Sequence, residues 1–169
     1  MRNTENFRII ATNRKAEHNY FLLEKFIAGI ILTGTEIKSV KQSHVNINNA
    51  YCFFDKNELF IKQMQIPPYE YGSIYNHDEY RIRKLLLNRK ELIKILHKKD
   101  IYTSIIPTKV IIKKSLAKVE IAIAKGKKQY DKRETIKKRD IERSLKTCYL
   151  KTRYNQYNQY NQSWGLCRN

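Results

Sequence analysis

The sequence predicts a mainly β fold: a small antiparallel, OB-like β-barrel over residues 20–124, with two to three short flanking helices and a basic C-terminal tail. Three observations support this. Short apolar, β-branched segments alternate with turn signals, and the clearest of them is Lys118–Ala124, where Val119, Ile121 and Ile123 alternate with more polar residues. Capping signatures mark only short helices, and the composition becomes strongly basic after Ala124. A closed barrel suits several short strands because closure removes exposed edges.

The N-terminal part of the chain contains an arm, a strand region and a helix. Residues 1–19 are polar and are expected to form an extended arm. Tyr20–Leu32 is apolar and β-branched, and predicts one or two strands with a bend or bulge near Gly29. Thr33-x-x-Glu36 has the spacing of a capping box, which predicts a short helix through Lys41.

The middle of the chain predicts a hairpin followed by a long loop. Asn49–Phe54 and Glu58–Ile66 read as strands, and Asp55-Lys56-Asn57 between them is a turn signal. Pro67-Pro68 ends the second strand because proline cannot donate to the hydrogen-bond ladder. Residues 67–80 are then a loop rich in tyrosine.

The last third predicts a helix, two strands and a tail. Asn88-x-x-Glu91 resembles a cap that precedes a helix ending near Lys98, and Thr103–Lys113 reads as a strand before Lys118–Ala124. Residues 125–153 favour helix but carry few apolar side chains, so we expect a tail that is disordered alone and helical when bound. Residues 154–169 form a low-complexity extension with three copies of Tyr-Asn-Gln.

Composition limits the possible partners. The 169 residues carry 34 Lys+Arg against 16 Asp+Glu, a net charge of +18, which favours a polyanion such as nucleic acid. Apolar runs such as Ile27–Leu32 are far shorter than the ~20 residues that span a bilayer, and no apolar signal core opens the chain, so neither a membrane partner nor export is expected. Cys52, Cys148 and Cys167 have no CxxC or metal spacing, which suits reduced thiols in a cytoplasmic protein. We expect a monomer without cofactor or metal.

Catalytic motifs are not evident in the sequence. Its four histidines are scattered, and it contains no HExxH, GxSxG, P-loop or Rossmann glycine pattern. His77 and Asp78 are adjacent in the Tyr-rich loop and would be the candidate acid/base pair of a ribonuclease. Turn hydrogen bonds are the favoured interpretation for two such neighbours. A non-catalytic protein is therefore expected.

Basic clusters are the more informative feature. In Lys125–Glu134 a glycine and one aromatic residue stand among cations, so the segment is either a solvated linker or an RNA contact in which a ring stacks and cations neutralise phosphate. A second cluster, Asn13-Arg14-Lys15 with His18 and Tyr20, precedes the first predicted strand. Cations beside rings and amides suit phosphates and splayed bases.

Five segments recur in the order of one known family, and together they span roughly residues 9–146: Asn13-Arg14-Lys15-Ala16, Gly34–Ser39, Asn76-His77-Asp78, Arg83–Asn88 and Ala124–Arg133. In these segments the chain resembles the SsrA-binding proteins, also called small protein B. The resemblance implies an oligonucleotide-binding-type barrel with flanking helices. It also implies an adaptor that binds transfer-messenger RNA (tmRNA), the tRNA-like molecule that rescues stalled bacterial ribosomes by trans-translation.

The same resemblance implies roles for particular residues. The barrel would replace the missing anticodon arm of tmRNA, and the tail would enter the small-subunit decoding centre and the empty mRNA channel. The residues expected to bind RNA are Asn13, Arg14, Lys15, His18, Lys38, Arg83, Lys84, Leu86 and Asn88. In the tail, Tyr130 would stack near the decoding-centre bases, within a set that comprises Lys127, Lys128, Tyr130, Asp131, Lys132 and Arg133.

Departures from the family pattern leave alternatives open. Ile27 stands where many relatives carry an acidic residue, and Glu17 stands where a basic one is common. The first alternative is therefore a general single-stranded RNA-binding or ribosome-associated structural module that does not select tmRNA. The ribonuclease based on His77 and Asp78 is the second.

Overall fold

The computed structural model describes residues 7–72 and 76–165. Within these ranges the chain forms seven strands and four helices. It divides into two compact units, a barrel unit, Met1–Lys127, and a C-terminal unit, Lys128–Asn169. The elements in chain order are β1 (Phe7–Thr12), α1 (Arg14–Asn19), β2 (Tyr20–Ile30), α2 (Gly34–Lys41), β3 (Tyr51–Asp55), β4 (Glu58–Lys62), β5 (Arg83–Leu86), α3 (Arg89–Lys98), β6 (Thr103–Lys113), β7 (Leu116–Gly126) and α4 (Gln129–Gly165).

The sheet closes on itself and confirms the predicted OB-like barrel. Its strand order is β1-β6-β3-β4-β5-β2-β7, and a further β6–β7 pairing closes the ring. All the described pairings are antiparallel. Two long pairings carry most of the closure, since β7 runs beside β2 from Gly126 to Lys118 and beside β6 from Lys125 to Leu116. β1 lies outside the ring, paired with β6.

The predicted hairpin and helix starts are confirmed. Lys56 and Asn57 both adopt left-handed φ values, 44° and 64°, as a two-residue turn requires to match the strand twist. The second strand ends at Lys62, earlier than the predicted Ile66, and Gln63 follows with φ 58°. Both capping boxes form, so α2 begins after Thr33 and α3 begins after Asn88.

The predicted interruption of the strand by a bulge near Gly29 is wrong. β2 is one continuous strand, and its register shift against β7 lies between Leu22 and Glu24. Gly29 instead permits a close approach of β5, because a Cβ there would lie 3.3 Å from the Cβ of Leu86. Its lack of a side chain allows the two strands to lie close together.

The extended arm predicted for residues 1–19 is wrong where the structure describes it. Residues 7–12 form β1 in the sheet, and residues 14–19 form α1. Ala16 on α1 is buried against Ile106 and Ala124. The helix therefore covers part of the β7 face for which the alternating sequence predicts exposure to solvent. Residues 1–6 lie outside the described part of the chain.

The core fills the barrel interior with aliphatic side chains. Leu59 and Ile61 from β4 meet Ile121 and Ile123 from β7, and α3 contributes Ile95. All five are essentially inaccessible to solvent. Burying such side chains provides the main stabilisation of a small barrel.

The C-terminal unit is a single helix in the described residues. α4 runs from Gln129 to Gly165 and includes the Tyr-Asn-Gln repeats, and Ile136, Ile141 and Leu145 are exposed on it. That this segment is disordered until it meets a target stays a prediction. Residues 166–169 of the predicted extension, with Cys167, lie outside the described residues. None of the described helices is long and apolar enough to cross a membrane.

Candidate RNA-binding surface

Arg83 holds the barrel together from inside. Its side chain is fully buried, and its Nε donates to Glu36 Oε1 at 2.8 Å. Its terminal nitrogens donate to the carbonyls of Met64, Arg81 and Glu79 at 2.6, 3.0 and 3.2 Å. With every nitrogen facing a protein acceptor, Arg83 cannot reach RNA, and its predicted role as an RNA contact is wrong. Its position on β5 makes it a support for the residues that follow.

Glu36 is the shared acceptor of this buried network. Its carboxylate accepts from Arg81, Arg83 and the Thr33 amide, the last as part of the α2 capping box. Burial alone would raise the pKa of Glu36, but the hydrogen bonds from Arg81, Thr33 and Arg83 outweigh it and lower that pKa from 4.5 to about 2. The carboxylate therefore stays charged, and it ties α2 to β5 and to the preceding loop.

Asn13 is a second predicted RNA contact that the structure buries. Its Oδ1 accepts from the Ala16 amide at 3.0 Å and caps α1. Its Nδ2 donates to the carbonyls of Ile47 and Pro107 at 3.0 and 3.2 Å. The side chain is 2% exposed, so Asn13 fastens α1 to the barrel and direct contact with RNA is excluded.

β5 presents the accessible residues of the site. Because Arg83 and Leu85 point inward, Lys84 and Leu86 point outward, and Leu86 is 50% exposed. Asn88 lies at the N-cap of α3, where its backbone amide donates to Glu91 Oε2 at 3.0 Å. Lys84 forms an ion pair with Glu58 on β4.

The outer side of β2 extends this surface with apolar side chains. Ile27 is 55% exposed and Ile31 is 45% exposed, and Gly29 between them lies opposite Leu86. These residues form the β2–β5 surface: Ile27, Gly29, Ile31, Leu86 and Asn88. Apolar side chains on the outside of a barrel favour a docking surface over a solvated wall.

The cations of α1 lie at the other end of β2. Arg14 and Lys15 are exposed, and His18 is half-buried with Nδ1 3.1 Å from Asn19 Oδ1. α1 precedes Tyr20, whereas β5 pairs with the end of the 11-residue strand, so the two groups lie at opposite ends of β2, at most about 30 Å apart along the strand. Most of the accessible predicted RNA-binding residues therefore fall into two groups, one on the outer face of β5 and one on α1, the α1 patch, which comprises Arg14, Lys15 and His18.

The α1 patch adjoins the end of the barrel unit. The Lys127 amide donates to the Asn19 carbonyl at 2.9 Å, and its Nζ donates to the Glu17 carbonyl at 3.0 Å. The same ammonium lies 4.9 Å from the centre of the Phe21 ring, which is exposed. Lys38 stands apart on α2, with its Nζ 5.2 Å from the centre of the Tyr69 ring.

The other tail residues occupy the first turns of α4. The Lys128 amide donates to Asp131 Oδ2 at 3.0 Å, and an acidic residue in the first turn suits the helix dipole. Tyr130 is 69% exposed, and its hydrogen bond to the Glu134 carboxylate raises the pKa of the phenol. The ring thus remains neutral and accessible. Lys132 is half-buried and Arg133 is exposed.

His77 and Asp78 are engaged in structural hydrogen bonds. His77 Nδ1 lies 2.9 Å from Thr35 Oγ1, and its Nε2 donates to the Ile66 carbonyl at 3.1 Å. Asp78 Oδ1 accepts from the Tyr80 amide at 3.2 Å, as in a turn. Both ring nitrogens of His77 are thus occupied, which does not suit a general base. Among the residues that the structure describes, no three His, Cys, Asp or Glu side chains are grouped to hold a metal ion.

Sequence reasoning missed the network around Glu36. The capping box marks Glu36 as a helix-start residue, but nothing in the spacing links it to Arg81 or Arg83, which follow far along the chain. The three residues meet because α2 packs beside β5 in the closed barrel.

The fold and its two exposed patches define a small barrel protein suited to binding a polyanion. The family model described as "SmpB protein" matches residues 10–151, and the chain belongs to that family. A relative from Desulfitobacterium hafniense, an "SsrA-binding protein", is 47% identical over 84% of this chain and 92% of its own length. The SsrA-binding proteins of Geobacillus kaustophilus and Listeria welshimeri are 45% and 49% identical over 84% and 82% of this chain and 92% and 94% of theirs.

A solved structure of an SmpB chain is also similar to this protein. A chain from the work described as "tmRNA-SmpB: a journey to the center of the bacterial ribosome" superposes with a TM-score of 0.61 at 36% identity. The similarity covers 76% of this chain and 94% of the other. The SmpB family consists of RNA-binding proteins and not of enzymes, in agreement with the expectation from the sequence.

Proposed function

We propose that this chain is a non-catalytic adaptor that binds tmRNA and delivers it to stalled bacterial ribosomes for trans-translation. The family match carries the proposal, because it extends from the barrel into α4. The relatives named as SsrA-binding proteins and the neighbour from the tmRNA-SmpB work support the same RNA and the same destination. Peptide transfer is left to the ribosome, and work on ribosomes in bacteria takes place in the cytoplasm.

The β2–β5 surface is proposed to hold the tRNA-like part of tmRNA. Leu86 offers an exposed apolar side chain to a base or ribose, and the Asn88 side-chain NH2 offers a donor, since its oxygen takes part in the α3 capping box. Lys84 lies on the same outer face of β5 and adds a cation. Arg83 supports this surface from inside the barrel, and the barrel then stands in place of the missing anticodon arm.

The α1 patch is proposed to take phosphates. Arg14 and Lys15 are exposed at the start of α1, and His18 lies in its last turn. Such contacts add affinity that falls as salt rises, because each phosphate contact releases counterions. They position the RNA and leave its selection to the β2–β5 surface.

The start of the C-terminal unit is proposed to act in the decoding centre. Tyr130 offers an exposed neutral ring for stacking, and Lys128 and Arg133 are exposed cations for phosphate. Lys132 and Asp131 complete the set together with Lys127, the last residue of the barrel unit, and Asp131 fixes the first turn of the helix. The remainder of the basic segment would follow the empty mRNA channel.

The net charge of +18 supports a second candidate, a general RNA-binding module without selectivity for tmRNA. A competition titration separates the two. Labelled tmRNA is bound by the purified chain at low and near-physiological salt, and excess elongator tRNA is added. The adaptor keeps tmRNA at both salt concentrations. If both RNAs compete equally and binding collapses with salt, the charge explains the affinity and the adaptor proposal fails.

A further inference from the structure

Three aromatic rings that have no role assigned above lie side by side on the outer wall of the barrel, next to the outer face of β5. Leu59, Ile61 and Cys52 point into the core, so the residues that alternate with them on β3 and β4 point outward. The outward set includes Tyr51, Phe53 and Phe60.

The rings form a continuous row. Phe53 and Phe60 are directly opposite each other across the hairpin, with ring centres 5.9 Å apart and planes 27° from parallel. Tyr51 lies on the same face two residues earlier, with its ring centre 6.4 Å from that of Phe53. A cross-strand pair stabilises a hairpin and is sufficient to explain Phe53 and Phe60. It does not explain Tyr51, which is 41% exposed and faces Lys62 across the ladder.

Lysine side chains lie beside the row of rings on the neighbouring strands. Lys62 is exposed opposite Tyr51, and Lys84, which is ion-paired with Glu58, is opposite Phe60 on β5. Lys84 is also two residues from Leu86 on the same face of β5, so the rings continue the β2–β5 surface sideways onto the hairpin. We call Tyr51, Phe53, Phe60, Lys62 and Lys84 the ring platform.

We propose that the ring platform stacks unpaired bases of the bound RNA, with Lys62 and Lys84 against the flanking phosphates. The inference rests on the proposed function and extends it to a second hairpin of the barrel. Rings with cations between them suit single-stranded nucleic acid, because every base has a face that can stack and every link has a phosphate. Positive charge beside the rings favours RNA over an apolar protein partner, since the whole chain carries +18.

The test replaces aromatic rings with leucine, which is apolar but has no ring to stack. Tyr51→Leu, and Tyr51→Leu combined with Phe60→Leu, are titrated with labelled tmRNA and with single-stranded oligoadenylate. Tyr51→Phe keeps the ring, and Tyr102→Leu is the matched control because Tyr102 is 82% exposed in the α3–β6 connection. Thermal unfolding is measured to check that each variant keeps the fold. If the double variant does not fold, the single variant at the exposed Tyr51 alone decides the test.

We expect the Leu variants to lose about tenfold in affinity for both RNAs, whereas Tyr51→Phe and Tyr102→Leu bind as the wild type does. Ultraviolet cross-linking of tmRNA to the wild type should mark the peptides that carry Tyr51 and Phe60. Wild-type affinity in the folded Leu variants overturns the platform. If the wild type fails to prefer tmRNA, the adaptor proposal fails, but the oligoadenylate titration still decides the platform.

Discussion

The buried carboxylate of Glu36 leads to a prediction about how stability depends on pH. Glu36→Gln removes the charge while keeping the shape, and it leaves Arg83 buried with an uncompensated positive charge. Removing one partner of a buried ion pair costs about 3–5 kcal/mol, so the variant should be less stable by that amount at pH 7. Urea denaturation followed by circular dichroism measures the difference.

The lowered pKa gives the pH window. The pKa of Glu36 falls from 4.5 to about 2 on folding, and each unit corresponds to ~1.4 kcal/mol, so its contribution is about 3 kcal/mol. Since the folded-state pKa is depressed, that stability is present above pH 4.5 and is lost as the pH falls through about 2. The wild type should lose it in this window, while Glu36→Gln has no such carboxylate to protonate.

The difference in free energy of unfolding between the wild type and Glu36→Gln should therefore narrow by about 3 kcal/mol from pH 5 to pH 2, because all other carboxylates titrate in both proteins. Glu58→Gln is the matched control at pH 7. Its ion pair with Lys84 is exposed, with 47% of the Glu58 side chain accessible, and its loss should cost less than about 1 kcal/mol. A gap that stays constant with pH, or a Glu36→Gln variant as stable as the wild type, would refute the reasoning.

Three further predictions concern function. Leu86→Ala combined with Asn88→Ala should weaken tmRNA binding by at least about tenfold while the barrel stays folded, and wild-type affinity in a titration would contradict the β2–β5 surface. Tyr130→Ala should bind tmRNA within about twofold of the wild type but block tagging in a stalled-translation assay, because stacking in the decoding centre is lost. An unchanged tagging rate would remove Tyr130 from that role. Gly29→Ala should weaken tmRNA binding severalfold, because its Cβ would lie 3.3 Å from that of Leu86 and displace it. Unaltered titration and melting curves would show that Leu86 accommodates the methyl group.

A strand rich in apolar and β-branched residues is predictable from sequence, and β5 is not. Thr103–Lys113 has the predicted bounds, because it is rich in apolar and β-branched residues. In Arg83–Leu86 the pattern is reversed, with a buried arginine and an exposed leucine, so hydrophobic periodicity points to the wrong face. The pattern fails because a buried ion pair replaces a hydrophobic contact there.

The same limit applies to the candidate site. Spacing and charge cannot separate an exposed cation from one that is paired inside, so the sequence groups Arg83 with Arg14 and Lys84. Asn13 likewise resembles a polar contact, although its amide caps a helix and bridges two carbonyls. The exposure of Leu86 is accessible only through the family resemblance, since an isolated leucine in an apolar run ordinarily indicates core.

The closure of the barrel has a consequence for the synthesis of this protein. Tyr20, near the start of the chain, pairs with Gly126, so β2 has no partner for most of its length until β7 has been made. Contacts between residues so distant in sequence are formed slowly, and an incomplete chain leaves the edges of β2 and β6 open to other chains. A message broken before the codon for Gly126 would thus yield a product that aggregates readily and that proteases can attack. Folding of this barrel therefore requires that its own message be translated through β7.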